Sequence, residues 1–307
     1  MPAAPDPALA RWIRRELAAH PPLARSLVVT IWGDTLAPHG GDVWLSTLIR
    51  LLGPFGVNER LVRTSVFRLA ADGWLEARAA GRRARYRLTA DGARRFSQAY
   101  TRVYAPPFAP WDGTWELVIV PPDAVAAPDR RALRDELAWS GFALLAPGIH
   151  ARPTRPDAAG GHVAALPARA IRVAARDLPD GSASSLAARV ESAFALPELA
   201  VDYRDFLGRF GAIAAAFGER VRASPEQAFV VRTLLVHEYR RARLRDPQLP
   251  EGLLPPDWPG AKAYALCRDV YRAAEPGATA HLAAALAEDG EPLYPALPEF
   301  LTRFEAA

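Results

Sequence analysis

Apolar residues near the start of the chain recur at helical spacing and predict two helices. The first lies within residues 23–37 (LARSLVVTIWGDTLA), and the second lies within residues 40–53 (GGDVWLSTLIRLLG). Asp42 stands where the second helix needs an N-cap, because its side chain can accept a hydrogen bond from a free backbone amide. The Gly-Pro-Phe-Gly run at residues 53–56 then ends that helix and turns the chain.

The residues that follow predict a third helix, a hairpin and a fourth helix. The third helix covers residues 59–71, with Asn58 as its N-cap and Gly73 at its end. Two short extended runs around Gly81 predict the hairpin, and Thr89 caps the helix after it. Helix, helix, turn, helix and hairpin in this order are typical of a winged helix-turn-helix.

The third helix has an apolar side and a basic side. On a helical wheel the predicted core side spans about 140° and holds Leu61, Val62, Ser65, Val66 and Leu69. The opposite side, with Arg68 at its margin, holds Arg60, Arg63, Thr64 and Phe67. Only Glu59 offsets the arginines of this helix.

A helix of this kind suits the major groove of DNA, which admits one α-helix. Arginine can bind the edge of a guanine through two hydrogen bonds, or it can bind a phosphate. Thr64 and Phe67 could contact a thymine methyl group. The alternative is an amphipathic helix with a solvated basic face, and arginine suits that as well.

The predicted hairpin tip supports the DNA interpretation. Its sequence, GRRAR, places Arg82, Arg83 and Arg85 in the loop that lies over the minor groove or the phosphates in winged proteins. A basic hairpin alone is often just solvated. One that directly follows a basic helix favours DNA binding.

Charge is unevenly distributed along the 307 residues. Residues 50–103 contain twelve arginines and four acidic residues, a local balance of +8, whereas the whole chain carries +4. Residues 1–49 balance at zero, so the chain after residue 103 must carry −4. A basic block of this kind is typical of a phosphate-binding surface.

Composition indicates a cytoplasmic protein without a membrane span. Cys267 is the only cysteine, which excludes an internal disulfide and fits a reducing compartment. The N-terminal residues are too charged for a secretory signal, and the longest uncharged stretch, residues 137–151, is too short to cross a bilayer.

The rest of the chain predicts an α+β region and then a helical one. Residues 104–113 hold three prolines and indicate a linker. Residues 111–180 alternate between strand and helix patterns. The predicted strands are TWELVIVPP, FALLAPGIHARP with a bend, HVAALP and AIRVAARDL, and the predicted helix is APDRRALRDELAWSG. Helical patterns dominate from residue 184, with proline-rich breaks at residues 246–260.

Three stretches of the sequence resemble the PaaX-like family of repressors of phenylacetate-degradation operons. The first is GGDVWLSTLIRLLGPFGVNERLVRTSVFRLAADGWLEARAAGRRARYRLTADG. The second is WDGTWELVIVP at residues 111–121, and the third is LLVHEYRRARLRDPQLPEGLLPPDWPG at residues 234–260. The resemblance covers most of the chain.

This resemblance implies three domains in an α+β protein. They are a winged helix-turn-helix DNA-binding domain (20–103), a ferredoxin-like, Cas2-like middle domain that dimerises (111–182) and a helical effector-binding domain (184–307). It further implies a homodimeric repressor of a catabolic operon that an acyl-CoA, such as phenylacetyl-CoA, releases from its double-stranded DNA operator. We expect no enzymatic activity and no cofactor.

Two sets of site residues follow. The predicted DNA-binding residues are Asn58, Arg60, Arg63, Thr64, Phe67, Arg68, Arg82, Arg83 and Arg85. The candidate effector-binding residues form a basic helix end that could hold the phosphates of CoA: Arg232, His237, Arg240 and Arg241. The alternative for this second set is a helix end where cations oppose the dipole.

Other functions have weaker signals. The HEYRR run at residues 237–241 begins like a zinc-protease motif, but Arg241 replaces the second histidine that the metal requires. Asp123 follows the first strand of the Cas2-like region and could hold Mg²⁺ in a nuclease, yet no acidic cluster accompanies it. A nucleic-acid-binding module without an effector is a third alternative, and it leaves about two hundred further residues without a purpose.

Overall fold

The computed structural model describes residues 5–80, 83–107, 111–154, 166–177, 186–218, 223–301 and 303–304. The predicted α+β class is confirmed by its helices and two small antiparallel sheets. The chain forms two compact units. Unit 1 contains residues 1–106, 205–243 and 262–307, and unit 2 contains residues 107–204 and 244–261. The described helices include none that is both long and apolar enough to cross a bilayer.

Unit 1 begins with five helices and a three-stranded sheet. The helices are α1 (Pro7–Ala19), α2 (Ala24–Ile31), α3 (Leu45–Leu52), α4 (Glu59–Ala71) and α5 (Ala90–Tyr104). The strands are β1 (Val43–Trp44), β2 (Leu75–Ala80) and β3 (Arg83–Leu88). They pair antiparallel in the order β1-β3-β2. From α2 to β3 the element order matches the predicted winged helix-turn-helix, with the β2–β3 hairpin as its wing.

The local signals around α4 are confirmed. Its bounds are those predicted, and the Asn58 side chain accepts a 3.0 Å hydrogen bond from the Leu61 amide. Gly73 ends the helix region in the left-handed conformation, with φ of 74°, which glycine adopts at low cost. Thr89 caps α5 through its hydroxyl, which accepts from the Gly92 amide at 2.9 Å.

The predicted capping role of Asp42 is wrong. Helix α3 begins only at Leu45, because Val43 and Trp44 are extended and pair with β3 as strand β1. The Asp42 carboxylate instead accepts a 2.7 Å hydrogen bond from Arg85 Nε. A two-residue strand has no alternation of its own, so only its partner reveals it.

One member of the predicted core side of α4 is misplaced. Val62, Ser65, Val66 and Leu69 are buried, as expected, but Leu61 is 47% exposed. It lies at the edge of the buried stripe, where the helix turns toward solvent. Helix α4 therefore exposes two large apolar side chains, Leu61 and Phe67.

The end of α2 departs from a regular helix. Residues Trp32–Leu36 form a π-helical turn and residues Ala37–His39 a 3₁₀ turn. The π-helical turn contains about one residue more than an α-helical turn, so the side chains after it point in different directions than a regular helix would give them. It carries Asp34, which is buried in the interior of unit 1.

Unit 2 is built on a four-stranded sheet. Its elements are β4 (Trp115–Ile119), α6 (Arg130–Trp139), β5 (Ala143–Ala146), β6 (Ile149–Pro153), β7 (Ile171–Ala175) and α7 (Leu186–Ala193). The strands are antiparallel in the order β5-β6-β4-β7. This is the strand order of a ferredoxin-like sheet. Trp115, Ala151, Leu196 and Leu249 lie in its buried core.

Of the strands predicted for unit 2, one differs from the structure and one lies mainly outside the described residues. The run FALLAPGIHARP is not one bent strand but the β5–β6 hairpin, because Gly148, with φ of 77°, reverses the chain. The predicted strand HVAALP falls mainly within residues 155–165, outside the described residues.

Long helices complete the chain. They are α8 (Leu196–Gly218), α9 (Pro225–Arg243) and α10 (Gly260–Ala287). Within unit 1, α9 is buried along almost its whole length. Gln227 at its start hydrogen-bonds the backbone of Asp6 ahead of α1. Helices from both ends of the sequence therefore share the core of unit 1.

Candidate functional site

The exposed face of α4 carries the basic residues that the sequence singled out. Arg60, Arg63, Thr64, Phe67 and Arg68 are all exposed. Phe67 is 72% exposed, which is unusual for an aromatic side chain of this size. The structure thus brings these five residues to one solvent-facing surface, which we call the α4 face.

Few intramolecular contacts restrain the α4 face. Arg63 Nε donates to Glu59 at 2.8 Å, an exposed pair of the kind that contributes about 0.3–0.5 kcal/mol. The Thr64 hydroxyl donates to the Arg60 carbonyl at 2.9 Å. In the part of the chain that the structure describes, Arg60 and Arg68 form no ion pair. These side chains can turn to a partner at little cost.

Asn58 differs from the other predicted contacts. Its side-chain oxygen is already used as the N-cap of α4. It remains exposed at the start of that helix. Arg82, by contrast, lies outside the described residues.

The wing arginines have protein partners. Arg83 forms an ion pair with Asp289 and lies over the Trp44 ring, with 4.2 Å from its guanidinium carbon to the ring centroid. Arg85 binds Asp42 and also donates to Glu291 Oε1 at 2.6 Å. Sequence patterns did not reveal the acidic partners Asp289 and Glu291, because more than 200 positions separate them from the wing.

The two acidic partners lie in a segment after α10 that we call the C-terminal strap, residues 288–301. Asp289 accepts hydrogen bonds from Ser46, Thr47 and Arg50 as well as Arg83. Burial by itself raises the pKa of Asp289, but the hydrogen bonds from Thr47, Ser46 and Arg50 outweigh it and hold that pKa below its usual value. The carboxylate is therefore charged at neutral pH.

Glu291 is held in a similar way. It accepts from Arg85 and, at 2.8 Å, from the Trp44 indole nitrogen, and these bonds lower its pKa. Glu288 adds a third acid, with 3.3 Å between its carboxylate and Nε of Arg50 on α3. The strap thus places three negative charges next to a predicted DNA-binding surface.

The wing also carries Arg78 and Arg87, which were not singled out from the sequence, and Arg87 is ion-paired with Glu76. Arg78 on β2 is exposed and pairs in register with Arg85 on β3. No ion pair of Arg78 occurs among the described residues. Its position on the wing makes it a further candidate for phosphate contact.

The four candidate effector residues on α9 do not converge. His237 is buried and lies 2.8 Å from the Thr30 hydroxyl, and burial, helped by Arg240, lowers its pKa to about 3. Its imidazole is neutral at physiological pH and cannot attract phosphate as a cation. Arg241 is exposed and lies 3.2 Å from Glu238.

Arg240 and Arg232 have separate structural partners. Arg240 donates to the Ser26 carbonyl at 2.9 Å, and burial lowers its pKa to about 10, so it stays cationic. Arg232 is 3% exposed and donates to the Thr35 hydroxyl at 3.0 Å. Of the four, Arg232 alone lines the cavity described next.

Asp34 is the centre of a buried polar cluster. Its carboxylate lies 3.3 Å from Arg232 Nε and 3.4 Å from Arg303 Nη1, and it accepts a hydrogen bond from the Tyr104 hydroxyl. Burial and the charge of Asp34 raise the pKa of Tyr104 well above its ordinary value. Tyr104 is therefore a neutral donor. The cluster joins the π-helical turn after α2, helices α5 and α9, and the residues after the strap.

A cavity of about 720 Å³ lies beside this cluster within unit 1. That volume is in the usual range for a small-molecule site. Its walls come from the turn after α2, from α9 and α10, and from the strap. The lining residues are Asp34, Pro38, His39, Arg232, Tyr271, Arg272, Glu275, Thr279, Leu282, Leu293, Tyr294, Pro295, Ala296, Phe300, Leu301 and Arg303.

The cavity lining mixes charge and aromatic surface. Three arginines face two carboxylates, and His39 is neutral because burial lowers its pKa. The pKa of Glu275 is raised by burial, although Arg232 opposes that shift. The net charge of the lining is +1 with both carboxylates ionised. An anionic ligand with an aromatic or aliphatic part fits this chemistry.

The residues behind the alternative functions show no assembled centre. Asp123 is exposed and ion-paired with Arg169. Among the described residues, no three His, Cys, Asp or Glu side chains lie together in a way that could hold a metal ion. Cys267 is buried, and burial raises the pKa of its thiol.

Comparisons with known proteins match most of the chain. Residues 23–92 match the family model of PaaX-like protein, residues 108–166 that of the PaaX protein central Cas2-like domain, and residues 194–284 that of the PaaX-like protein C-terminal domain. The chain is 35% identical to the transcriptional repressor PaaX of Escherichia coli (strain K12) over 294 residues, 94% of this chain and 90% of the relative. A solved structure, the uncharacterized protein Rv0674 from Mycobacterium tuberculosis, superposes with a TM-score of 0.55 at 28% identity, covering 84% of this chain and 98% of that one. The chain belongs to the PaaX-like family of transcriptional repressors.

Proposed function

We propose that the protein is a homodimeric repressor of a catabolic operon that binds its operator through the α4 face and the wing. An acyl-CoA such as phenylacetyl-CoA releases it. The family and the repressor that it resembles support the regulatory role. The function requires no catalytic step and no cofactor.

The observation that carries the DNA-binding proposal is the α4 face. This face presents Arg60 and Arg68, which form no ion pair with any described residue, together with a weakly held Arg63 and Phe67 at 72% exposure. Side chains of these types read base edges and bind phosphates in the major groove. Solvation of the arginines does not use an aromatic ring, whereas contact with a thymine methyl group does use an apolar side chain such as Phe67.

The edge of the sheet in unit 2 supports the homodimer. Among the described strands β7 lies at the edge of the sheet, and Ile171 and Val173 are both exposed on one of its faces. Edge strands with apolar side chains readily pair or pack with another chain. A second copy of this chain is the partner that a two-fold operator site requires.

The cavity in unit 1 supports a small-molecule effector. It offers arginines for phosphate or carboxylate groups and aromatic rings for an acyl group. A CoA thioester contains both parts. The free acid lacks the phosphates, so it is expected to bind more weakly.

The DNA-binding proposal is tested by the double variant Arg60→Ala with Arg68→Ala. Loss of two phosphate contacts should flatten the slope of log K against log salt by about two units, measured by fluorescence anisotropy on duplex DNA. The matched control is Arg131→Ala with Arg130→Ala on α6 of unit 2. Equal slopes for the two variants would rule out the α4 face as the DNA-binding surface.

The effector is tested on the operator selected from genomic DNA by the purified protein. Phenylacetyl-CoA should dissociate the complex in a mobility shift, whereas phenylacetate and free CoA should not. If no member of a panel of acyl-CoAs dissociates the complex, the protein is a repressor whose effector is not an acyl-CoA. Failure to select any DNA would overturn the proposal as a whole.

A further inference from the structure

The strap has two faces with two different partners. Leu293, Tyr294, Pro295 and Ala296 in its middle form one wall of the cavity. Asp289 and Glu291 at its start hold the wing arginines Arg83 and Arg85. One short segment therefore contacts both the cavity and the wing.

Hydrogen bonds to the backbone of the strap and of the residues around Asp34 hold the strap in this position. The Leu297 amide donates to the Pro38 carbonyl at 2.8 Å, and the Tyr294 carbonyl lies 2.6 Å from His39 Nδ1. Arg303, just beyond the strap, donates to the Asp34 carbonyl at 2.8 Å. The strap is thus fastened at the turn after α2.

The strap and DNA compete for the same guanidinium groups. An arginine whose donors are directed at a carboxylate cannot direct them at a phosphate at the same time. The strap acids Glu288, Asp289 and Glu291 also repel phosphates near the wing. The strapped conformation therefore has the lower affinity for DNA.

A ligand in the cavity favours the strapped conformation. It would contact the strap as well as α9 and α10, and contacts to the strap exist only while the strap is in place. A ligand shifts an equilibrium toward the state in which it makes more contacts. By the same linkage, DNA bound to a free wing weakens ligand binding by the same factor.

We propose that the cavity beside Asp34 is the effector's site, and that the strap transmits its occupancy to the wing by holding Arg83 and Arg85 away from DNA. This rests on the proposed function for the ligand class, an anionic acyl thioester. The acyl group lies among Tyr271, Leu293 and Phe300, and the phosphates lie toward the exposed Arg272.

The coupling is tested without any ligand. Asp289→Asn with Glu291→Gln should bind non-specific duplex DNA about tenfold more tightly than the wild-type chain. Its salt slope should steepen by up to about two units as two arginines become available to phosphates. Asp135→Asn with Asp269→Asn removes the same charge from exposed positions away from the strap and is the control.

The site is tested by filling it. Ala296→Trp places a large ring into the cavity wall and should abolish binding of phenylacetyl-CoA in calorimetry. Leu297→Trp is the neighbouring control, since Leu297 is exposed and does not line the cavity.

The place of the phosphates is tested separately. Arg272→Ala should weaken the binding of phenylacetyl-CoA at least fivefold and leave the binding of phenylacetate unchanged. Arg268→Ala, one turn earlier on α10, should have no effect on either.

The outcomes separate the two proposals. DNA binding by the strap variant that equals its control overturns the coupling, whatever the ligand does. Normal phenylacetyl-CoA binding by Ala296→Trp overturns the cavity as the site. If no acyl-CoA binds the wild-type chain, the effector class and the ligand assigned to the cavity both fail, while the DNA measurement still decides the strap. Glu291→Gln alone, at a half-buried position, serves if the double variant is unstable.

Discussion

Arg85 and Glu291 lie 206 positions apart in the sequence, yet Arg85 Nη1 donates a 2.6 Å hydrogen bond to Glu291 Oε1. The same carboxylate oxygen accepts from the Trp44 indole at 2.8 Å. A strand of the wing, the strand before α3 and the strap therefore meet at one carboxylate. The charge that the wing presents to a partner depends on residues near the other end of the chain.

Phe67 should matter for DNA binding and not for folding. Because its ring is 72% exposed, Phe67→Ala should change the free energy of unfolding by less than about 0.5 kcal/mol. Loss of an apolar contact with bases should weaken operator binding by about 1 kcal/mol, measured by anisotropy. Leu23→Ala, at an exposed position before α2, is the control. An unchanged operator affinity would show that the ring does not reach the bases.

The α4 face could be predicted because its determinants are local. Asn58 and Gly73 mark the ends of α4, and the period of its apolar residues shows which side is buried. Asp42 was misassigned because the strand beside it is defined by pairing with β3, which no local pattern records. Short-range signals report helix ends well and strand partners poorly.

The cavity and the strap could not be predicted in the same way. Asp289 and Glu291 stand in a polar stretch that is typical of a solvated tail. Their contacts join residues more than 200 positions apart, so the sequence gives no spacing to recognise. One signal was available for the polar cluster. Asp34 is a single acid within a long apolar run, a position where burial requires a cationic or hydrogen-bonding partner.

The Asp34–Arg232 pair should be structural. Both side chains are almost fully buried, and removing one partner of such a pair leaves an uncompensated charge. Arg232→Met should therefore cost about 3–5 kcal/mol of the free energy of unfolding, measured by urea denaturation. Arg131→Ala, which breaks an exposed pair with Asp135, should cost less than about 0.5 kcal/mol. A small loss for Arg232→Met would mean that Arg303 and Tyr104 suffice to hold Asp34.

The β7 edge should carry the homodimer contact. Ile171→Arg with Val173→Arg places two charges on that edge and should convert a dimer to a monomer in sedimentation equilibrium, since like charges and lost apolar area both oppose pairing. Substitution of the exposed Val201 on α8 by Arg is the control and should leave the dimer intact. A dimer that survives the double substitution would place the interface on another surface.

His237 should make stability depend on pH. Its folded pKa of about 3 is well below the ordinary value of 6.5, because burial disfavours the charged ring. The unfolded chain therefore binds a proton below pH 6.5 that the folded chain does not bind, and stability falls as pH decreases from 6.5 toward 3. Between pH 7 and pH 5 this single group should remove about 2 kcal/mol from the free energy of unfolding.

The variant His237→Gln isolates this contribution, because glutamine can still hydrogen-bond the Thr30 hydroxyl but does not titrate. Urea denaturation at pH 7 and pH 5 should show a difference for the wild-type chain that exceeds that of the variant by about 2 kcal/mol. The matched control is His20→Gln, which removes an exposed histidine after α1. Equal pH dependence in the wild-type chain and His237→Gln would mean that the ring takes up a proton in the folded chain. The buried contact with Thr30 would then have to tolerate a charged imidazole beside Arg240, which the low pKa of the site argues against.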